Sequence, residues 1–335
     1  MSYKMTTKNG KNFWDVASLI QKAVRRADYN RAGYCANELY EKYPFYIWKK
    51  FFIISTEDCF GAVTKVMIDL FEKNTPETSK ENISKALITL CKCRKSKDGD
   101  YFGCNYIHSE QKLNLSKYTD GEMPVNLFGC YERSNSKKSP KGHTLEELRI
   151  ALTKSILKND YEYAGYATSE LMLTDNDYLW ETLIKISIEN LNGELTQEIN
   201  AIYKAQKIYK ELEAVFSGKA ISLLCQSLKP HKEGYFEVDY EGTPKVIPDE
   251  VIENYDIEKC FLPADVFPDW VYSWHTYKGK KMGRDCVDSI IEDQYALTPL
   301  QKALFDDYDW GYHISKMLLK HNPKHRPLDY KINWN

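Results

Sequence analysis

Cys91, Cys93, Cys104, His108, Cys130 and His143 lie close enough in the chain to suggest a metal. Structural zinc draws its thiol and imidazole donors from close pairs, C-x-x-C or H-x-x-x-H. No such pair occurs among these six residues. Cys91 and Cys93 fall on a predicted helix, where a two-residue step turns a side chain by about 200°. They therefore read as buried free thiols, and no metal is assigned. A Cys–His nucleophile is not singled out either, because seven His and nine Cys allow too many pairings. There is no G-x-S-x-G. Asp306, Asp307 and Asp309 could hold Mg²⁺, but "DDYDW" fits a solvated helix terminus better. "SGKA" (217–220) and "KGKK" (278–281) lack the spacing and the Ser/Thr of a phosphate-binding loop. No catalytic residue and no cofactor is expected. A metal-dependent hydrolase or nuclease is the most distant reading.

The richest stretch for binding chemistry is "PADVFPDWVYSWHTYKGKKMGRD" (263–285). It sets His275, Lys278, Lys280, Lys281 and Arg284 among Trp270, Trp274, Gly279 and Gly283. Cations suit phosphates and aromatic rings suit bases, so nucleic acid is one expected ligand. The alternative is a solvated loop anchored by its Trp residues. Lys49, Lys50, Arg25 and Arg26 form a second positive spot. Lys316, Lys320, Lys324, His325 and Arg326 form a third that reads as an exposed helix end.

What positions these residues must be mostly helix. The chain has 335 residues, 43% of them hydrophobic and 13% aromatic, enough for a sizeable core. The net charge of −2 gives no global basicity, so nucleic-acid contact would have to come from a local patch. No uncharged apolar run reaches membrane length, and the first residues do not read as a signal peptide. With an odd number of Cys, reduced thiols in the cytoplasm are the expectation.

An internal repeat organises the chain. "DYNRAGYCANEL" (28–39) returns 132 residues later as "DYEYAGYATSEL" (160–171). At the same offset Lys22 matches Lys154, Tyr46 matches Tyr178, Trp48 matches Trp180 and Gly61 matches Gly193. Apolar residues at helical spacing predict a helix through Val16–Val24 in copy one. Asp28 is the expected N-cap of the next, Pro44 the first turn of a third, and a fourth runs from about Ala62 to Glu72. Capping boxes are expected at Thr78/Glu81 and Thr144/Glu147. Ala32-Gly33-Tyr34 and Ala164-Gly165-Tyr166 read as packing motifs for a close helix approach, since Gly inside a helix costs about 1 kcal/mol relative to Ala. Trp48 and Trp180 join them as packing or oligomerisation residues. The surfaces diverge, because Lys49, Lys50, Arg25 and Arg26 meet Glu181, Thr182, Leu157 and Lys158 in copy two.

Residues 19–63 resemble the helical C-terminal part of the RarA/MgsA family of clamp-loader-like AAA+ ATPases. Lys22, Ala23, Arg25, Asp28, Ala32, Tyr34, Tyr46, Ile47, Lys49, Lys50, Glu57, Asp58 and Gly61 carry the likeness, followed by Lys95, Ser96 and Tyr101. "WHTYKGKKMGR" also resembles a His-Thr-x-x-Gly-x-x-x-Gly-Arg stretch of some phage and bacterial relatives. The ATPase motifs are missing. The resemblance therefore implies a tandem duplicated, collar-like helical protein, a homo-oligomer in the company of replication or repair proteins, without ATP hydrolysis and with a phage source in view. The expected organisation is repeat one at 1–105, a turn-rich linker at 106–143, repeat two at 144–230, and a mixed C-terminal segment at 231–335. "YFEVDY" is the candidate strand in that last segment. The leading expectation is a non-enzymatic interaction protein. A nucleic-acid-binding protein using 274–284 is the alternative.

Overall fold

A computed structural model describes residues 5–59, 61–107, 112–120, 137–190, 193–227, 247 and 249–292. The protein is mainly α. In chain order the helices are α1 (Phe13–Arg25), α2 (Tyr29–Leu39), α3 (Pro44–Glu57), α4 (Val63–Glu72), α5 (Ser79–Lys92), α6 (Asp98–Tyr106), α7 (Ser116–Thr119), α8 (Leu145–Leu157), α9 (Tyr161–Thr174), α10 (Asn176–Asn190), α11 (Gly193–Ile208), α12 (Glu213–Ser227), α13 (Asp249–Glu253) and α14 (Tyr277–Lys281). Residues 286–292 are also helical. No strand longer than an isolated bridge occurs among the described residues. The candidate strand "YFEVDY", together with His108, Cys130, the acidic run 306–309 and the cluster 316–326, lies outside them.

The described residues form two compact units. One combines 5–96 with 247 and 249–292. The other takes in the described part of 97–227. The division falls at Ser96/Lys97 and not at 105, because α6 packs against α12 and α9. The described part of the C-terminal segment belongs with the first helices of the chain and not to a separate body.

The first unit is built by signals visible in the sequence. An arm bridged at Thr6–Asn12 turns through Gly10, which is left-handed at φ +76°. Asn12 then caps α1, its side chain accepting from the amides of Trp14 and Asp15. α1 ends in a Schellman turn, with Asp28 N–H donating to the Ala23 carbonyl and Ala27 N–H to that of Val24. Asp28 immediately caps α2 by accepting from Arg31 N–H at 3.0 Å. Pro44 opens α3 as expected. Thr78 does not form its expected capping box. Its hydroxyl is engaged by the Thr75 amide at 3.0 Å, so the loop before α5 takes the group that would have capped it. The core gathers Leu19, Ile20, Ala23, Cys35, Leu39, Trp48, Phe51, Phe52, Ile83 and Leu87, all essentially solvent-free.

The second unit shows the same local structure 132 residues on. The arm is bridged at Lys138–Thr144 and turns through Gly142 at φ +87°. Thr144 and Glu147 form a complete capping box on α8. α8 ends in the same Schellman turn, with Asn159 at φ +54° where Ala27 stands at +54°. Asp160 caps α9 through Tyr163 N–H.

One shared device ties the arm that precedes the matched stretch to a glutamate within it. Glu38 is buried and accepts from the Thr7 hydroxyl, the Asn9 amide and the Asn9 side chain. Glu170 is equally buried and accepts from the Ser139 hydroxyl at 2.6 Å and the Lys141 amide at 3.0 Å. In each unit a carboxylate on the second helix thus clasps the entering arm.

Each unit is closed by a strap. In the first, the turn Ile257–Lys259 packs on α2 and α5, and the turn Asp269–Val271 packs on α1. In the second, α6 packs on α9 and α7 on α8. The strap lies where the glycine motif predicted a close approach, but the approaching chain differs. A Cβ on Gly33 would press on Cys260, 2.8 Å from its Cβ, and on the Tyr255 hydroxyl. Tyr255 and Cys260 lie in a connection and not in another helix. A Cβ on Gly165 would lie 2.6 Å from the carbonyl oxygen of Tyr106, at the end of α6. Tyr29 meets Tyr255 edge-on at 6.3 Å, and its counterpart Tyr161 meets Tyr106 at 6.0 Å.

Candidate nucleic-acid interface

The cationic segment 274–284 sits in the first unit as a short structured projection. Thr276 caps α14 by accepting from Gly279 N–H at 3.0 Å. Gly279 is buried against the backbone of Ser273, and any Cβ there would overlap the Tyr272 and Ser273 carbonyls. Gly283 leaves the helix at φ +72°, a left-handed conformation. Arg284 then folds back, donating to the Tyr272 carbonyl at 2.6 Å and the Asp269 carbonyl at 2.5 Å. Burial lowers the Arg284 pKa, with Asp269 and Asp288 opposing. Of the five residues singled out by sequence here, Arg284 is thus a clamp at the loop's base.

The other four face solvent. His275 packs its ring against Trp274 at 3.9 Å. Lys278 stands 3.8 Å above the Tyr272 ring, and Lys281 lies 4.7 Å from that of Tyr277. Lys280 is exposed between them. A cation resting on a ring keeps its charge and its outward donors. α14 is therefore a small positive surface with Trp274 and Tyr277 at its edge.

Its attachment to α1 uses Ser18, Lys22 and Arg26, of which the sequence singled out Lys22 only as a repeat match and Arg26 only as part of a positive spot. Ser18 donates to the Val271 carbonyl at 2.7 Å. Lys22 is buried, donates to the Trp270 carbonyl, and pairs with Glu292 at 3.0 Å. Arg26 also pairs with Glu292 and lies 3.9 Å from the Trp270 ring. These residues recur along one face of α1. No local signal could have found them, since their partners lie some 250 residues away in the chain.

The second positive spot is divided. Arg25 is buried in an ion pair with Asp58 at 2.6 Å, and Gln21 donates to the same carboxylate at 2.6 Å. Lys50 donates to Gln21. Lys49 and Lys50 remain half-exposed on α3. The packing motifs are in the core. Ala32, Gly33, Ala164, Gly165 and Tyr166 are buried and Tyr34 is half-buried. The Tyr166 hydroxyl meets His143 Nε2 at 2.7 Å. Trp48 is buried between Phe51 and Phe71, and Trp180 stacks on Tyr203 at 5.2 Å.

The thiols around the end of α5 sit in a closed setting, whereas Cys104 on α6 is exposed. Cys93 lies just past the end of α5, not within it. Lys95 is buried and caps that helix end, donating to the carbonyls of Leu90, Cys91 and Cys93. Cys93 Sγ is 3.2 Å and Cys59 Sγ 4.0 Å from the same Leu90 carbonyl. Burial pushes the Cys59 thiol well up and that of Cys91 to about 12, so both are protonated and poor nucleophiles at neutral pH. Among the described residues no three His, Cys, Asp or Glu side chains gather to hold a metal. No described helix is long and apolar enough to cross a membrane.

No protein-family model matches the chain, and no curated protein or solved structure matches it.

Proposed function

We propose that this protein is a non-enzymatic interaction scaffold, built from a duplicated collar-like unit, that self-associates and serves DNA replication or repair. One observation carries the reading most directly. The two units repeat the same arm, capped helix pair, left-handed turn and glutamate clasp at one constant offset. Two like units on one chain give a self-associating protein twice the valency of one. A dimer would present four such units, the number in a four-subunit collar. The resemblance of 19–63 to RarA-type proteins supplies the replication or repair context, and the cytoplasm is its expected place. Native mass spectrometry of the protein drawn from its own cells tests this directly. Assemblies containing replication or repair proteins are the expected result. A strict monomer at tens of micromolar would overturn the self-association.

A second reading is favoured by a separate observation. α14 exposes Lys278, Lys280 and Lys281 beside Tyr277 and Trp274, on a base held rigid by Arg284 and Gly279. That surface suits nucleic acid. Binding should weaken steeply with salt, since each phosphate contact releases counterions. Salt-independent binding, or none, would exclude it.

A further inference from the structure

Two exposed aromatic side chains lie between the basic spots that the sequence kept apart. Trp14, in the first turn of α1, is 58% exposed, and Phe45, in the first turn of α3, is 81% exposed. Neither is needed to fill the core, which at these helix starts is supplied by Phe13, Ile47 and Trp48. Phe13 brings the two turns together, with its ring 5.0 Å from that of Trp14 and 4.6 Å from that of Tyr46, the neighbour of Phe45. One helical turn beyond Phe45 on the same face is Lys49. One turn beyond Trp14 is Ser18, whose hydroxyl holds Val271 at 2.7 Å. The next residue, Tyr272, carries Lys278 on its ring. α14 therefore sits close to the Trp14 end of α1, with Tyr277 74% exposed.

We infer that Tyr277, Trp14 and Phe45 form a row of stacking platforms for a single-stranded nucleic acid, with the lysines of α14 at one end and Lys49 at the other holding its phosphates. The inference rests on the second reading above and specifies its ligand. Charge and shape together favour this occupant. Every base has a π-face, so flat exposed rings interleaved with cations bind a single strand without sequence preference. A duplex hides its base faces and would use the lysines alone. Asp15 opposes a polyanion within this surface. It is half-buried, burial raises its pKa, and Lys278 acts on it in the opposite direction.

The test is fluorescence anisotropy with the full chain, a labelled oligothymidylate and a duplex of the same length, over a salt series. Trp14→Ser and Phe45→Ser should each weaken single-strand binding about 5- to 150-fold, the range expected for one lost base stack. They should leave the salt slope unchanged, since no charge is removed. Lys278→Gln/Lys280→Gln/Lys281→Gln should weaken binding to both ligands and flatten the slope. Normal single-strand binding by both ring variants, with binding lost in the lysine variant, would overturn the platforms and keep the second reading. Equal affinity for the duplex would also overturn them. No oligonucleotide binding by the unaltered chain, with a protein partner instead captured through Trp14 and Phe45, would overturn both.

Discussion

Replacing the two repeat glycines with alanine should have unequal effects. In both helices the change improves intrinsic helix propensity by about 1 kcal/mol. In α9 the new methyl of Gly165→Ala would lie 2.6 Å from the Tyr106 carbonyl oxygen and 2.8 Å from its carbon. The closest atom is Tyr106 Cβ at 2.4 Å, and ordinary contact begins near 3.4 Å, so the end of α6 would have to withdraw by roughly 1 Å. It has little room. Gly103 on α6 already lies so close to α12 that its own Cβ would be 3.1 Å from the Ala214 carbonyl oxygen, and a Cβ on Gly218 would lie 3.0 Å from the Gly103 amide. Overpacking of this kind costs about 1–3 kcal/mol or more, so Gly165→Ala should be net destabilising by about 1–2 kcal/mol. In α2 the obstacles are side-chain atoms, Cys260 Sγ and Cβ and the Tyr255 hydroxyl, and that hydroxyl is held by the Tyr29 carbonyl at 2.7 Å, so the connection must shift to admit a methyl. Gly33→Ala should therefore cost less than Gly165→Ala, where backbone atoms are in the way, and Gly33→Ala/Cys260→Ala should recover part of that cost. Because the chain comprises two compact units, one global unfolding energy does not isolate either of them. Hydrogen exchange read by mass spectrometry resolves α2 from α9 directly. α9 amides in Gly165→Ala protected as well as in the parent would refute the argument that glycine is required there for close approach.

Three further outcomes follow from the same contacts. Glu170→Ala strips a buried acceptor from the Ser139 hydroxyl and the Lys141 amide, so it should destabilise the second unit by about 2–4 kcal/mol, read from hydrogen exchange of α9, with Glu38→Ala doing the same to the first, read from α2. Arg25→Met should cost about 3–5 kcal/mol by leaving Asp58 buried without its guanidinium, whereas Arg25→Met with Asp58→Leu should recover most of the loss in a double-mutant cycle. Burial and then Lys112 lower the His143 pKa, with Glu147 and Glu170 opposing. The unfolded chain therefore takes up that proton first, and the contribution of His143 is present above its ordinary value near 6.5 and lost as pH falls through the lowered one. Thermal melts across this window should show the loss, and His143→Gln should reduce it.

Much of the framework was legible because its determinants are local. Asp28, Asp160 and Thr144 cap helices with backbone amides three residues away, and Pro44 needs only its own ring. Thr78 misled because its hydroxyl had a competing local partner in Thr75. The clasp was hidden for a different reason. Its arms match only through Thr7 with Ser139 and Gly10 with Gly142, too little to stand out, while the carboxylates that give those residues meaning lie about thirty residues on. The site followed the same rule. The lysines of α14 could be picked out as a cationic cluster, but Arg284 reads the same in sequence and serves the backbone of its own loop. Lys22, matched at Lys154 and so read as part of the shared framework, is pinned by Glu292, a partner no pattern around position 22 could reveal.

The straps also bear on how the chain is made. The helices of the first unit are synthesised first, yet the residues that cover Gly33 and neutralise Lys22 end at Glu292. The strap of the second unit precedes its helices and is already present when α8 to α12 emerge. Translation at roughly 5–20 residues per second separates α5 from Glu292 by about 10–40 s. During that interval the unit begun first stays open along one flank, while the unit begun second has every described element it needs. The later half thus has its described elements before the earlier one, and a ribosome stalled after α12 has cleared the exit tunnel, but before Glu292 has, would hold one unit with all its described helices and one still awaiting its cover.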